Sequence, residues 1–238
     1  MKNKTSQLIL LFSLIGCLVL GIMLVPYCGG EKDLREAART GDLARVKALI
    51  AAKEDVNAKY IFGRTALMYA SSKGHIEVVR ALLAAKADVN VKDKGGRTAL
   101  MDASSRGNAE VVRILLTAKA DVNAKDKEGV TVLMWATLLG NVEVVRTLLA
   151  AKADVNAKSN DGCTALIWAS ARGNVEVVKA LLAAKADVNA KANNGLTALM
   201  NAQKNKGIMA LIWGRLIWGR MGDPAEVIKL LRQAGATE

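Results

Sequence analysis

Gly96-Arg97-Thr98-Ala99-Leu100 decides the fold of this 238-residue chain, because close copies of it recur at intervals of 33 residues. The copies begin at Gly63, Gly129, Gly162 and Gly195. Two other markers keep the same interval, namely a glycine that precedes a predicted helix and the tripeptide Asp-Val-Asn. The glycines are Gly41, Gly74, Gly107, Gly140 and Gly173, and the tripeptides begin at Asp55, Asp88, Asp121, Asp154 and Asp187. A fixed interval of this length indicates a solenoid of stacked units.

Each unit is predicted to contain a turn, a helix, a tight break and a second helix. Asp161-Gly162 supplies residues that tolerate a positive φ, as such a turn requires. Thr65 and its equivalents can cap the first helix by accepting a hydrogen bond from a free backbone N–H. Caps of the second helix are predicted at His75, Asn108, Asn141, Asn174 and Asp223. The second helix carries an apolar stripe at helical spacing, which one unit cannot bury alone, so the units must stack into an all-α solenoid.

These markers resemble the ankyrin repeat, whose pattern runs Asp-x-x-Gly-x-Thr-Pro-Leu-His, then Gly-His, then Leu-Leu, then Gly-Ala-Asp-Val-Asn. The resemblance extends from about Glu31 to Glu238 and is to a bacterial-type protein that is exported or membrane-anchored. Alanine or valine replaces the proline, methionine or isoleucine replaces the first histidine, and lysine replaces the glycine that ends the second helix. These lysines are Lys53, Lys86, Lys119, Lys152 and Lys185. Because that position normally has a left-handed backbone, we expect strain of roughly 1 kcal/mol at each lysine.

The interval and the resemblance together divide the chain. Residues 31–59 lack the turn and are expected to form an N-terminal capping repeat, and residues 192–238 are expected to form a C-terminal repeat. Four repeats lie between them, at 60–92, 93–125, 126–158 and 159–191. The last unit has an insertion near 207–222, in which Leu-Ile-Trp-Gly-Arg occurs twice in tandem. Either a slipped duplication or a functional lobe explains this insertion.

The first 30 residues differ from the rest of the chain. Lys2 and Lys4 precede a mostly apolar run from Leu8 to Val25, which at about 1.5 Å per residue just spans a hydrocarbon core. We therefore expect an uncleaved membrane anchor rather than a buried helix of the fold, with the repeat domain on the non-cytoplasmic side. A lipoprotein signal ending at Cys17 and a signal peptide cleaved after Gly30 are the alternatives. In those cases the repeat domain would be periplasmic, secreted or lipid-anchored.

The sequence offers few groups for catalysis. Its one histidine, His75, stands where asparagine or aspartate caps the other units. No zinc-ligand spacing, phosphate-binding glycine loop or nucleophile elbow is found. Of the three cysteines, only Cys163 follows the N-terminal apolar run, which excludes a disulfide framework in the repeats. We predict a protein that is not an enzyme and needs no metal or cofactor.

The net charge of +12 suggests an anionic contact. Stacking would align two columns of lysines, the helix-end column named above and a second one before each turn, into basic stripes. The second column is Lys59, Lys92, Lys125, Lys158 and Lys191. Such stripes suit an acidic protein, an anionic membrane or solvent alone, and nucleic acid is not expected at an exported domain. A membrane-surface or envelope structural protein, using a stripe and the apolar insertion, is therefore the alternative function.

The resemblance implies a protein partner, bound by a monomer through the turn tips and the first helices, which would form a concave face. One position of the first helices contributes Tyr69, Asp102, Trp135, Trp168 and Asn201. Beside it lie Phe62, Arg64 and Arg97 near the tips, and Arg106, Leu139 and Arg172 near the helix ends. Aromatic residues on a polar surface are typical of binding hot spots. Alternatively, the two tryptophans only pack between neighbouring units.

Overall fold

The computed structural model describes residues 33–138, 140–204 and 223–237, and these form successive pairs of short helices. We call the first helix of each pair inner and the second outer. The pairs are α1 (Leu34–Thr40) with α2 (Leu43–Ala51), α3 (Ala66–Lys73) with α4 (Ile76–Ala84), α5 (Ala99–Arg106) with α6 (Ala109–Thr117), α7 (Val132–Leu138) with α8 (Val142–Ala150), and α9 (Ala165–Arg172) with α10 (Val175–Ala183). The last inner helix includes 198–204, and its outer partner is α11 (Pro224–Gln233). The expected all-α solenoid is confirmed.

The apolar stripe of each outer helix packs against the inner helices. In α4 the side chains of Val78, Val79 and Leu82 are buried, and the equivalent residues of α6, α8 and α10 are buried as well. The inner helices contribute Leu67, Met68 and their equivalents to the same continuous core. Full burial of one such side chain contributes about 1.5–3 kcal/mol. Stacking therefore supplies the stability that a single helix pair lacks.

Side-chain caps begin the inner helices as predicted. The hydroxyl oxygen of each capping threonine accepts a hydrogen bond from the N–H three residues later, as between Thr98 and Met101 at 3.3 Å. Asn141 and Asp223 cap their outer helices in a similar way. The cap prediction was wrong for His75, Asn108 and Asn174, which make no such bond. They reach back instead to carbonyl oxygens at the end of the inner helix of the preceding unit, where that helix leaves acceptors unpaired.

The five helix-end lysines have the left-handed backbone expected of them. Their φ values lie between 63° and 67°. The N–H of Lys119 donates to the carbonyl oxygen of Leu116, so the turn still forms as it would with glycine. In the last unit Gly235, with a φ of 89°, follows α11 in the corresponding place. The chain therefore contains both the strained and the unstrained version of one turn.

The Asp-Val-Asn tripeptide links each unit to the next. The side-chain oxygen of Asn90 accepts a hydrogen bond from the N–H of Asp121 at 2.8 Å, and its amide donates to the carbonyl oxygen of Lys119 at 3.2 Å. We call this column of inter-unit bonds the asparagine ladder, formed by Asn57, Asn90, Asn123, Asn156 and Asn189. Because each bond joins two units, the ladder fixes their spacing as well as their contact.

The expected membrane anchor and the expected insertion at 207–222 lie outside the described residues. Within the described ranges, no helix has both the length and the apolar character needed to cross a bilayer.

Candidate binding face

A buried carboxylate organises the N-terminal half of the predicted binding face. Asp102, on α5, accepts hydrogen bonds from Arg64 at 2.5 Å and from Arg97 at 2.9 Å, and its side chain is 5% exposed. Burial raises the pKa of Asp102, and the charges of Arg64 and Arg97 act against that rise. The side chains of both arginines remain about a quarter exposed. Asp102 thus fixes two guanidinium groups at the surface and offers little surface of its own.

Each of these arginines also lies over an aromatic ring. The guanidinium carbon of Arg64 is 4.9 Å from the ring centre of Tyr69, and that of Arg97 is 4.0 Å from the ring centre of Trp135. Such cation–π contacts contribute about 0.5–2 kcal/mol, more when solvent is excluded. Ion pair and ring together hold each guanidinium group in one orientation.

The two tryptophans are neighbours, as the stacking predicted. The ring centres of Trp135 and Trp168 lie 6.4 Å apart at an interplanar angle of 82°, an edge-to-face contact. Trp135 also donates a hydrogen bond from Nε1 to Asp126 at 3.0 Å. Both rings are partly buried. Trp135 therefore has structural contacts on several sides, and each of the two rings also lines a groove.

Two adjacent grooves occupy this face. The cationic groove, about 440 Å³ in volume, is lined by Arg64, Ser72, Arg97, Asp102, Ser105, Arg106, Trp135 and Leu138. The apolar groove, about 340 Å³, is lined by Leu138, Cys163, Ile167, Trp168, Ala171, Arg172, Ala192, Asn194, Leu196 and Asn201. Leu138 lines both grooves, so they are adjacent at this residue. We define the concave face as these two grooves together.

The thiol of Cys163 belongs to the apolar groove and is not activated. Burial raises the pKa of Cys163, and a hydrogen bond with Trp168 acts against that rise. A thiol with a raised pKa remains protonated and weakly nucleophilic at neutral pH. No group of acidic, histidine or cysteine side chains suited to a metal ion occurs among residues 33–138, 140–204 and 223–237.

A family model described as ankyrin repeats (three copies) matches residues 34–126 and 133–213, more than half of the chain. The chain is an ankyrin-repeat protein. Ankyrin repeats generally mediate protein–protein interaction, and the family typically provides non-enzymatic binding scaffolds. No curated protein matches the sequence.

The structure brings most of the predicted site residues of this ankyrin-repeat protein together. Nine of them line the grooves or flank them: Arg64, Tyr69, Arg97, Asp102, Arg106, Trp135, Trp168, Arg172 and Asn201. Phe62 lies apart at the first tip, where it is 69% exposed with a φ of 60°. Leu139 lies outside the described residues. Sequence reasoning omitted Ile167 and Leu196, although Leu196 stands at the repeat position of Arg64 and Arg97, a change from charged to apolar that the sequence displays.

The predicted basic stripes are less free than their charge suggests. In the column before the turns, the ammonium groups of Lys92, Lys125 and Lys158 each donate to the carbonyl oxygen of the equivalent lysine in the next unit. The distances are 2.9, 3.1 and 3.1 Å. These lysines therefore join ankyrin units to one another, and part of their donor capacity is already used.

The outer-helix ion pairs also connect units. Arg113 pairs with Glu110 on its own helix and with Glu143 of the next unit, both at 2.8 Å. Arg80 similarly reaches Glu110 at 3.2 Å. These side chains are about half exposed, so solvent screens each pair. On the outer helices, several charges of both signs are thus paired with one another, in contrast to the concave face.

Proposed function

We propose that this ankyrin-repeat protein is a non-enzymatic scaffold that binds one protein partner through the concave face. The observation that carries the proposal is the pair of adjacent grooves, in which oriented arginines adjoin partly exposed tryptophan. Arginine and tryptophan are the residues most enriched at binding hot spots. The outer helices offer mutually paired charges instead. We propose further that the protein acts as a monomer.

A photo-crosslinking experiment tests this proposal. Benzoylphenylalanine would replace Arg106 or Arg172, two exposed residues of the concave face, and Arg146, an exposed residue of an outer helix. We expect the same protein to be crosslinked from Arg106 and from Arg172, and not from Arg146. Adducts formed only from Arg146 would place the binding surface on the other side.

The proposed location is a membrane, with the repeat domain on the non-cytoplasmic side. The apolar run from Leu8 to Val25 after Lys2 and Lys4 supports this location. Protease added to spheroplasts should degrade the repeat domain, and the intact chain should fractionate with membrane. Recovery of the full-length chain in the soluble cytosolic fraction would contradict the proposal.

A second candidate function, attachment of the domain to a membrane surface, has one specific observation in its favour. Ile61 and Phe62 at the first tip are 60% and 69% exposed, and exposed Lys59 and Lys94 lie beside them. Apolar side chains with a lysine rim suit an anionic bilayer. Hydrogen exchange at residues 60–64 should then slow in anionic nanodiscs but not in neutral ones, and Phe62→Ser should remove the difference. Equal rates of hydrogen exchange at residues 60–64 in anionic and neutral nanodiscs would exclude this membrane attachment.

A further inference from the structure

The concave face changes chemistry along its length. In the first two complete units, the tip position and the inner-helix position two residues before the glycine that ends the helix are polar or basic. Arg64 and Arg97 occupy the tip, and Ser72 and Ser105 occupy the inner helix. In the later units, Cys163 and Leu196 occupy the tip, and Leu138 and Ala171 occupy the inner helix. The solenoid therefore presents one charged half and one apolar half.

The charged half has an uncompensated positive charge. Its groove contains three arginines and one carboxylate, and Asp102 is already paired with two of them. Arg106 is exposed, as is Lys73 at the equivalent place in the preceding unit. The nearby carboxylate of Asp126 is buried and accepts from backbone N–H groups and Trp135. A ligand that fits this half carries negative charge, and its carboxylates can each receive two hydrogen bonds from a guanidinium group.

The apolar half is a walled groove rather than a flat patch. Trp168, Leu138 and Leu196 contribute its largest partly exposed apolar side chains. Its 340 Å³ volume is enough for one large aliphatic or aromatic side chain with its neighbours. Among the described residues, no carboxylate lines this groove and Arg172 does, although the charge of Asp161 acts on Cys163 from the same tip.

From these observations we infer that the partner of the concave face is an extended acidic peptide segment with a large apolar residue about three positions from its acidic residues. This inference rests on the proposed function and specifies its partner. The guanidinium carbon of Arg97 is 4.0 Å from the ring centre of Trp135, which is 6.4 Å from that of Trp168, so the Arg97 guanidinium and the Trp168 ring are at most about 10 Å apart. An extended peptide advances about 3.3 Å per residue and covers that distance in about three residues. The acidic end contacts Arg97 and Arg106, and the apolar side chain enters the groove beside Trp168.

The experiment is a peptide selection with the full-length chain in detergent micelles. A phage library of random dodecapeptides is selected on the wild-type protein, and the most enriched peptide is labelled for fluorescence anisotropy. We expect enriched peptides to combine acidic residues with a large apolar residue at the stated spacing. Arg106→Glu and Leu138→Ser should each weaken binding at least tenfold. Leu138→Ser places in this unit the residue that Ser72 and Ser105 already provide, and urea melts confirm that each variant folds.

Arg146→Glu is the matched control, because it makes the same change of net charge on an outer helix. It should change affinity less than twofold. Peptides that respond to Leu138→Ser but not to Arg106→Glu would overturn the acidic specificity and leave the concave site in place. Peptides indifferent to both would locate binding elsewhere and overturn the proposed function as well. Two outcomes would overturn the peptide inference alone. One is that no peptide is enriched. The other is that an oligothymidine, tested as a nucleic-acid competitor, binds more tightly than the peptide and with an affinity that Leu138→Ser does not change.

Discussion

Replacement of Lys119 by glycine should stabilise the protein by about 0.5–1 kcal/mol. Lys119 has a φ of 67°, which costs a residue with a Cβ about 1–2 kcal/mol. Glycine removes this cost, but its freedom in the unfolded chain offsets about 0.5–1 kcal/mol of the gain. The N–H of residue 119 and its carbonyl, which accepts from Asn90, are unaffected. The assay is urea unfolding, in which the midpoint should rise at constant slope.

Two controls separate the backbone from the charge. Lys119→Ala removes the ammonium group but keeps the Cβ, so it should give no gain. Lys125→Gly should destabilise by about 0.5–1 kcal/mol, because Lys125 lies outside the left-handed region and its ammonium group donates to Lys158. If Lys119→Gly is no more stable than Lys119→Ala, the left-handed backbone at residue 119 does not reduce the stability of the protein.

Two further pairs of substitutions test the packing of the face and of the tips. Trp135→Ala should cost about 2–4 kcal/mol and Trp168→Ala about 1–2 kcal/mol, because only Trp135 combines a cation–π contact, an edge-to-face contact and the bond to Asp126. Equal losses in thermal or chemical melts would contradict this ranking. Gly96→Ala should destabilise about 1–2 kcal/mol more than Gly195→Ala in the same melts. Both glycines have a φ near 80°, but a Cβ at Gly96 would lie 2.8 Å from a backbone nitrogen of the next unit, whereas Gly195 has nothing within 4 Å. An equal loss of stability in Gly96→Ala and Gly195→Ala would show that neighbouring units can move apart at Gly96 without a further loss of stability.

The fold was predictable because the interval of 33 residues and the position of each apolar residue act locally. Thr98 caps a helix wherever its unit is placed, and Val78 and Val79 must be buried by whatever lies beside them. The left-handed turn at Lys119 was equally predictable from its position after the second helix. These features depend on neighbours within one unit, which the sequence contains.

The chemistry of the face was only partly predictable, because it depends on contacts between units. Trp135 was predicted as an exposed hot spot or a packing residue, and in the structure it is held between Arg97 and Trp168 with its nitrogen on Asp126. Asp102 was predicted on the surface, and in the structure it lies beneath two arginines. Each of these two side chains is positioned by an arginine of the preceding unit: Arg64 contacts Asp102, and Arg97 contacts Trp135. The change from Arg97 to Leu196 at one repeat position was the signal that could have revealed the two grooves.

The last hydrogen bonds of the asparagine ladder, at the C-terminus, join residues that are further apart in the sequence than those joined by the other bonds of the ladder. Asn189 bonds to Gly235 over 46 residues, whereas Asn90 bonds to Lys119 over 29. The longer connection adds only about 0.4 kcal/mol of loop-closure entropy. Evolution or a protein engineer can therefore exchange the sequence between the last inner and outer helices, or insert a foreign domain there, while the terminal cap keeps its register.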